Sequence, residues 1–152
     1  MIGIFENRHL ITGVTALVIA QVLKVIFDYW RTKSLKSAML TSTGGMPSSH
    51  SALVVAVMIS IGIAEGFDTP IFALSTALAL VVMHDAAGIR RAAGKQAEAI
   101  NFLFSKLEKQ GIKLDKKLKE LLGHRPLEVI AGAALGVIIT LLAYRLFPMG
   151  EY

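Results

Sequence analysis

The chain has 152 residues, one domain's length, of which 54% are hydrophobic and 18% charged, with a mean hydropathy of +0.60. Soluble domains carry about 25% charged residues, so this composition argues against a soluble globular protein, and the absence of cysteine excludes disulfide frameworks, thiolate metal sites, iron–sulfur clusters and cysteine nucleophiles. A net charge of +5 would direct a soluble protein towards nucleic acid, whereas in a membrane protein it sets topology.

Four apolar segments follow in chain order. Residues 10–27 are interrupted only by Gln21 and Lys24 among strongly polar side chains. This segment lacks the basic start and small-residue cleavage site of a signal peptide, so it reads as a first membrane helix. Residues 51–64 extend backwards through 47–50, and residues 70–83 end at His84 and Asp85. Residues 127–147 form the longest segment, with Glu128 near its start and Arg145 near its end. A bilayer core of about 30 Å needs about 20 helical residues, with about 17 as the lower limit. The first and fourth segments meet this directly, and the middle two reach it once their polar ends are included.

Pro47, Pro70 and Pro126 each stand where a helix would begin and where a missing N–H costs nothing. Asp68 or Thr69 is placed to cap the third helix, and Gly66 breaks the chain before it. Gly132 and Gly136, four apart on the fourth helix, make a close-packing face for another membrane helix. Strand signals, repeats and low-complexity tracts are absent. The expected fold is all-α, a single membrane domain over residues 1–152. Its four spans lie near 9–28, 47–65, 69–89 and 126–147, with a basic amphipathic cytoplasmic segment at 95–122.

Four spans place the loop after the first helix and the loop before the last on one side. Those loops hold thirteen of the sixteen basic residues. The positive-inside rule then puts both loops in the cytoplasm of a multi-pass cell-membrane protein. Within the second loop Ala97, Ile100, Phe104 and Leu107 recur at helical spacing, and Leu114, Leu118, Leu121 and Leu122 do so among lysines. Such faces suit either a helical hairpin on anionic membrane lipids or a solvated helix packed on its own protein. No aromatic ladder accompanies the lysines, so no nucleic-acid partner is expected.

Two segments carry chemistry. In Gly44-Gly45-Met46-Pro47-Ser48-Ser49-His50-Ser51, Pro47 at the first helical position turns the N–H groups of Ser48, Ser49 and His50 out of the helix end. With two serine hydroxyls and the positive end of the macrodipole this makes an anion site, and His50 at its edge can donate a proton. An ordinary N-terminal cap beside a surface histidine fits the same residues. In Gly123-His124-Arg125-Pro126-Leu127-Glu128 the histidine and the glutamate are four apart, so the carboxylate can hold one ring nitrogen and leave the other as nucleophile or base. A helix-capping contact is the plainer alternative. Arg90, Arg91 and Lys95, closing the third helix, suit phosphate oxygens or simply set topology at the boundary. Arg90 and Arg91 point about 100° apart on a helix, so one of them faces the site. His84 and Asp85 lack metal-motif spacing, and neither a metal nor another cofactor is expected.

Pro47-Ser48-Ser49-His50-Ser51 resembles the Pro-Ser-Gly-His motif of type-2 phosphatidic acid phosphatases and vanadium haloperoxidases, and His124-x-x-x-Glu128 resembles their final His-x-x-x-Asp. Together with residues 85–95, the chain looks like a divergent branch of that superfamily, the match covering roughly residues 36–136. The resemblance implies His124 as nucleophile forming a phosphohistidine, Glu128 as its orienter and His50 as general acid, without a metal. The chain departs from the family in having no lysine–six residues–Arg-Pro motif before Pro47, where Lys36 is the candidate replacement. Leu118 stands six residues before His124 where the family has arginine. Family members commonly have six spans and an outward-facing site, against four spans and a basic cytoplasmic face here.

The expected activity is hydrolysis of a lipid phosphate or pyrophosphate, with Ser48, Ser49, Arg90, Arg91, Lys95 and Lys36 holding the phosphoryl group. Four short helices enclose little space, so a homodimer packed through Gly132 and Gly136 is expected. The alternative is a non-catalytic lipid-phosphate-binding or transport protein that retains the anion pocket; a vanadate-dependent peroxidase is a third reading.

Overall fold

Side-chain caps and prolines decide where the helices begin. The computed structural model describes residue 3 and residues 6–33, 45–110, 118 and 123–147, and of Arg31, Arg90 and Arg91 the backbone alone. α1 (Arg8–Thr32) opens behind Asn7, whose Oδ1 accepts the Leu10 N–H at 3.0 Å. α2 (Ser49–Glu65) opens on Ser48 and stops at Gly66, whose φ of 105° is readily open only to glycine. α3 (Pro70–Ala87) has Thr69 as its cap and Pro70 in its first turn, as expected. α4 (Ile89–Lys109) follows after Gly88 alone. α5 (Pro126–Leu146) begins at a proline whose preceding residue, Arg125, is held extended. There is no strand among the described residues.

Two local expectations are corrected. Pro47 is not the first residue of α2, because Ser48 is the cap: its N–H goes to the Glu128 carbonyl and its hydroxyl turns towards Ser51. Nor do residues 85–95 close the third helix. α3 ends at Ala87, Gly88 breaks the chain, and Arg90, Arg91 and Lys95 belong to α4. Of the expected amphipathic segment, α4 covers the first part, while 111–117 and 119–122 lie outside the described residues.

The bundle is organised around α2. Gly13 of α1 faces Leu53 and Val57, His9 reaches Ser60, and Lys24 lies against Gly45, so α1 runs antiparallel to α2. α5 runs parallel to α2 along a seam with a four-residue period. Ser48, Ala52, Ala56 and Ser60, all fully buried, face Gly132, Gly136, Thr140 and Tyr144. A Cβ on Gly132 would collide with the Ser48 carbonyl, and one on Gly136 would lie 2.6 Å from the Ala52 carbonyl oxygen. The seam is closed by hydroxyls: Thr140 Oγ1 donates to the Ala56 carbonyl at 3.2 Å and Tyr144 to the Ser60 carbonyl at 2.8 Å. The glycine face therefore packs on this chain's own α2, which occupies the surface expected to hold a second copy. Ala16 and Ala20 of α1 complete a core of small residues with Ala52 and Ala56, the packing by which membrane helices approach closely.

The large apolar side chains point outwards instead. Leu74 is 67% exposed, Val81 66% and Ile130 64%, an arrangement suited to lipid and not to water. Arg8–Trp30, Pro70–Lys109 and Pro126–Leu146 are each long and apolar enough to cross a membrane, and α2 is apolar over 17 residues. The protein is an all-α membrane helical bundle.

Because Gly136 lies against the Ala52 carbonyl, Gly136→Leu is expected to destabilise the fold by about 1–3 kcal/mol through overpacking. The measurement is the thermal unfolding midpoint in detergent; an unchanged midpoint would show that α2 and α5 do not meet on this face.

Candidate functional site

Parallel packing of α2 and α5 brings their N-termini, and with them His50 and His124, to one end of the bundle. His124 is fixed first through its backbone: its N–H donates to the Ala86 carbonyl at 3.2 Å, joining the entrance of α5 to the last turn of α3. The Ser48 N–H donates to the Glu128 carbonyl at 2.9 Å, joining the entrance of α2 to the first turn of α5. Three helix ends are thus stitched together by main-chain bonds before any functional side chain is considered.

The His124 side chain is 2% exposed, and its Nδ1 lies 3.0 Å from Glu128 Oε2. The same oxygen accepts the Arg125 N–H at 3.2 Å, and a carboxylate in the first turn is favoured by the helix dipole. An ionised carboxylate can only accept, so in the neutral imidazole Nδ1 carries the hydrogen and Nε2 the lone pair. Nε2 is buried and has no hydrogen-bond partner among the described residues. The half-buried His50 ring stands edge-on with its centroid 6.3 Å from that of His124. At that separation the rings do not hydrogen-bond each other, yet both can act on one small group held between them.

Around this pair the expected phosphate ligands divide. Ser48 and Ser49 are buried at the start of α2. Ser48, however, is engaged twice, through its N–H to Glu128 and through its hydroxyl, which accepts from Ser51 Oγ at 3.1 Å. The cap reading of Ser48 is the one its geometry fits. Arg90 and Arg91 lie in the first turn of α4, a few residues beyond Ala86, with their side chains outside the described residues. Lys95 is exposed on α4, and Lys36 lies outside the described residues. Leu118 is tied to α4: its backbone is clasped at both N–H and C=O by Asn101, each bond 2.8 Å.

Lys24 is the residue that pattern reading passed over as an interruption of the first span. It is 4% exposed, its ammonium donates to Gln21 Oε1 at 3.1 Å, and its charge is within Coulombic reach of Glu128. A Cβ on Gly45 would stand 3.2 Å from Lys24 Cγ, so the turn leading into α2 rests on the lysine stem. The available signal was energetic, since an ionisable residue within a membrane segment is costly and marks function by default.

An open cavity of about 590 Å³ lies at the other end of the bundle between α1, α2 and α3. His9 and Glu65 are the ionisable groups among its lining residues, and the His9 Nδ1 is bonded to Ser60 Oγ at 2.8 Å. The cavity is lined by the first turns of α1 and α3 and the last turns of α2, at the end of the bundle away from the histidine pair. No three His, Asp or Glu side chains gather as a metal set among the described residues.

The profile of the Divergent PAP2 family matches residues 5–139. The chain belongs to that family. A relative from Bacillus subtilis (strain 168), described as the uncharacterized membrane protein YuiD, is 40% identical, the alignment covering 93% of this chain and 97% of that protein. No solved structure matches. The match to the divergent PAP2 family spans both histidine segments, from the middle of which α2 and α5 arise.

Glu128→Ala is expected to release the His124 ring and leave a buried Nδ1–H unsatisfied, at a cost of about 1–3 kcal/mol. NMR of ¹⁵N-labelled histidine should show His124 as the Nδ1–H tautomer in the parent and a changed tautomer balance in the variant. A parent protein already carrying its hydrogen on Nε2 would overturn this assignment.

Proposed function

We propose that this divergent PAP2 protein hydrolyses a phosphate or pyrophosphate ester of a membrane lipid through a histidine nucleophile. One observation supports this above the others: a buried imidazole whose Nδ1 is engaged by a carboxylate, whose Nε2 has no partner among the described residues, and which faces a second histidine. In the proposed reaction His124 Nε2 attacks phosphorus, the bond to the leaving oxygen breaks, and His50 protonates that oxygen. Water then attacks the phosphohistidine and releases phosphate. Glu128 positions the nucleophile and stabilises the positive charge that its ring develops. The converging ends of α2 and α5 supply preorganised positive potential where negative charge accumulates. The basic loops lie in the cytoplasm in this reading, so the phosphoryl group is met at the inner face of the cell membrane.

The second reading, a non-catalytic protein that binds or transports lipid phosphates, is favoured by the engagement of the Ser48 N–H with the Glu128 carbonyl, which removes a donor from the anion site. The homodimer is kept as part of the proposal, formed through a face other than the Gly132–Gly136 surface; crosslinking in membranes that yields monomer alone would remove it.

Phosphate release by the purified protein in detergent, with phosphatidic acid, phosphatidylglycerophosphate and prenyl pyrophosphate and no added metal, tests the activity. His124→Ala should abolish release, and His50→Ala should slow it by about 10²–10⁴-fold, the usual contribution of a general acid. Lipid-phosphate binding without release by a folded parent protein would move the conclusion to the second reading.

A further inference from the structure

α4 has a composition unlike that of the other helices, and the two-histidine chemistry does not account for it. α3 has 18 residues, about 27 Å of helix, so it crosses most of the bilayer before the chain breaks at Gly88. α4 starts at that boundary with five basic and two acidic residues among its 21, too many charges for a span. At about 100° per residue, Ile89, Ile100, Leu103 and Leu107 fall within an arc of about 60°. Lys95, Glu98, Lys106 and Lys109 occupy the opposite half. This sorting is that of a helix lying between an apolar and an aqueous phase.

The protein covers only one flank of this helix. α4 packs chiefly on α3, and Gly94 and Ala97 are buried on the flank that also carries Asn101, which clasps Leu118. The apolar arc lies beside that flank and is left open: Ile89 is 64% exposed and Leu103 57%. Phe102 is exposed at the border of the charged half, with the Lys106 ammonium 4.7 Å from its ring centroid. Projected into water from the end of α3, the helix would leave this apolar surface hydrated. Laid along the membrane, it buries the arc among acyl chains, the medium that suits Leu74 and Val81 of α3. Charge decides the kind of membrane surface. Lys95, Lys106 and Lys109 are all exposed, and the excess of cations on α4 complements an anionic headgroup layer.

We propose that α4 is a surface helix that docks on anionic phospholipid, with Ile89, Ile100 and Leu103 inserted below the headgroups and its lysines among the lipid phosphates. Docking also fixes the depth of the His124 segment, whose N–H is bonded to the Ala86 carbonyl just before α4. The inference is independent of turnover at the histidine pair.

The chain has no cysteine, so a nitroxide label can be placed at one position at a time. Leu103→Cys and Ile100→Cys label the apolar arc, and Glu98→Cys labels the charged half. The full-length protein is placed in vesicles of equal parts phosphatidylcholine and phosphatidylglycerol, and only variants that keep the parent's unfolding midpoint are read. Electron paramagnetic resonance then measures collision with oxygen, which concentrates in lipid, and with a water-soluble nickel chelate. Both arc labels should favour oxygen, and the Glu98 position should favour nickel. In phosphatidylcholine alone, or with Lys106→Gln and Lys109→Gln added, the arc labels should shift towards nickel. The docked-to-undocked ratio is expected to fall about 5-fold for each lysine lost. Arc labels open to nickel in the mixed vesicles would mark a helix in water and overturn the inference. Shielding from both reagents would mark cover by protein, such as a second copy, and overturn it equally. Arc labels that stay as deep without phosphatidylglycerol would overturn the choice of anionic lipid.

Discussion

The small-residue seam between α2 and α5 is the constraint from which the site follows. Helices can approach this closely only where no side chain intervenes, and here Gly132 and Gly136 leave the Ser48 and Ala52 carbonyls in direct reach of the α5 backbone. Because the two helices run parallel, closeness along the seam becomes coincidence of their N-termini. Two dipole ends and two histidines are thereby gathered at one level, an arrangement an antiparallel pair could not make. The main-chain bonds from Ser48 to Glu128 and from His124 to Ala86 hold that coincidence in register with α3.

This architecture divides labour between the two faces of each helix. In water, small residues make a poor core, because little apolar area is removed from solvent. In lipid that argument loses its force: close van der Waals approach and hydroxyl bonds such as Thr140 to Ala56 do the holding. Large residues such as Leu74 and Val81 face outward at no cost. The buried ionisable side chains among the described residues, Lys24 and His124, are then expensive ones concentrated at one end.

Much of this was written plainly in the sequence. Four apolar segments, proline starts at Pro70 and Pro126, and the four-residue spacing of His124 and Glu128 are local features, and local features survive into the fold. The glycine pair declared a helix contact but not its partner, since α2 and a second copy offer the same small-residue chemistry. Pro47 was misplaced because a long-range bond, Ser48 to the Glu128 carbonyl, overrode the local preference for a proline-initiated helix. Arg90 and Arg91 were read with the third helix because apolar character runs through Gly88, where only the backbone reveals a break. Lys24 was passed over because Thr32 stands where the family's lysine–six residues–Arg-Pro pattern has proline, although Lys24 and Arg31 keep its spacing; its contact with Gly45, twenty-one residues on, comes only from antiparallel packing.

The length of α2 has a consequence for the surrounding bilayer. Seventeen residues span about 26 Å, short of the roughly 30 Å hydrocarbon core, whereas the 25 residues of α1 span about 38 Å and carry Tyr29 and Trp30 towards the end beyond Lys24. Such mismatch is relieved by thinning the membrane around the shorter element. Headgroups beside α2 are then drawn down to the depth of the two histidines, while the taller α1 keeps its aromatic anchors at the undisturbed surface. For the proposed reaction the bilayer itself becomes part of the approach: a lipid phosphate diffusing within its leaflet would reach the histidine pair sideways, without leaving the membrane.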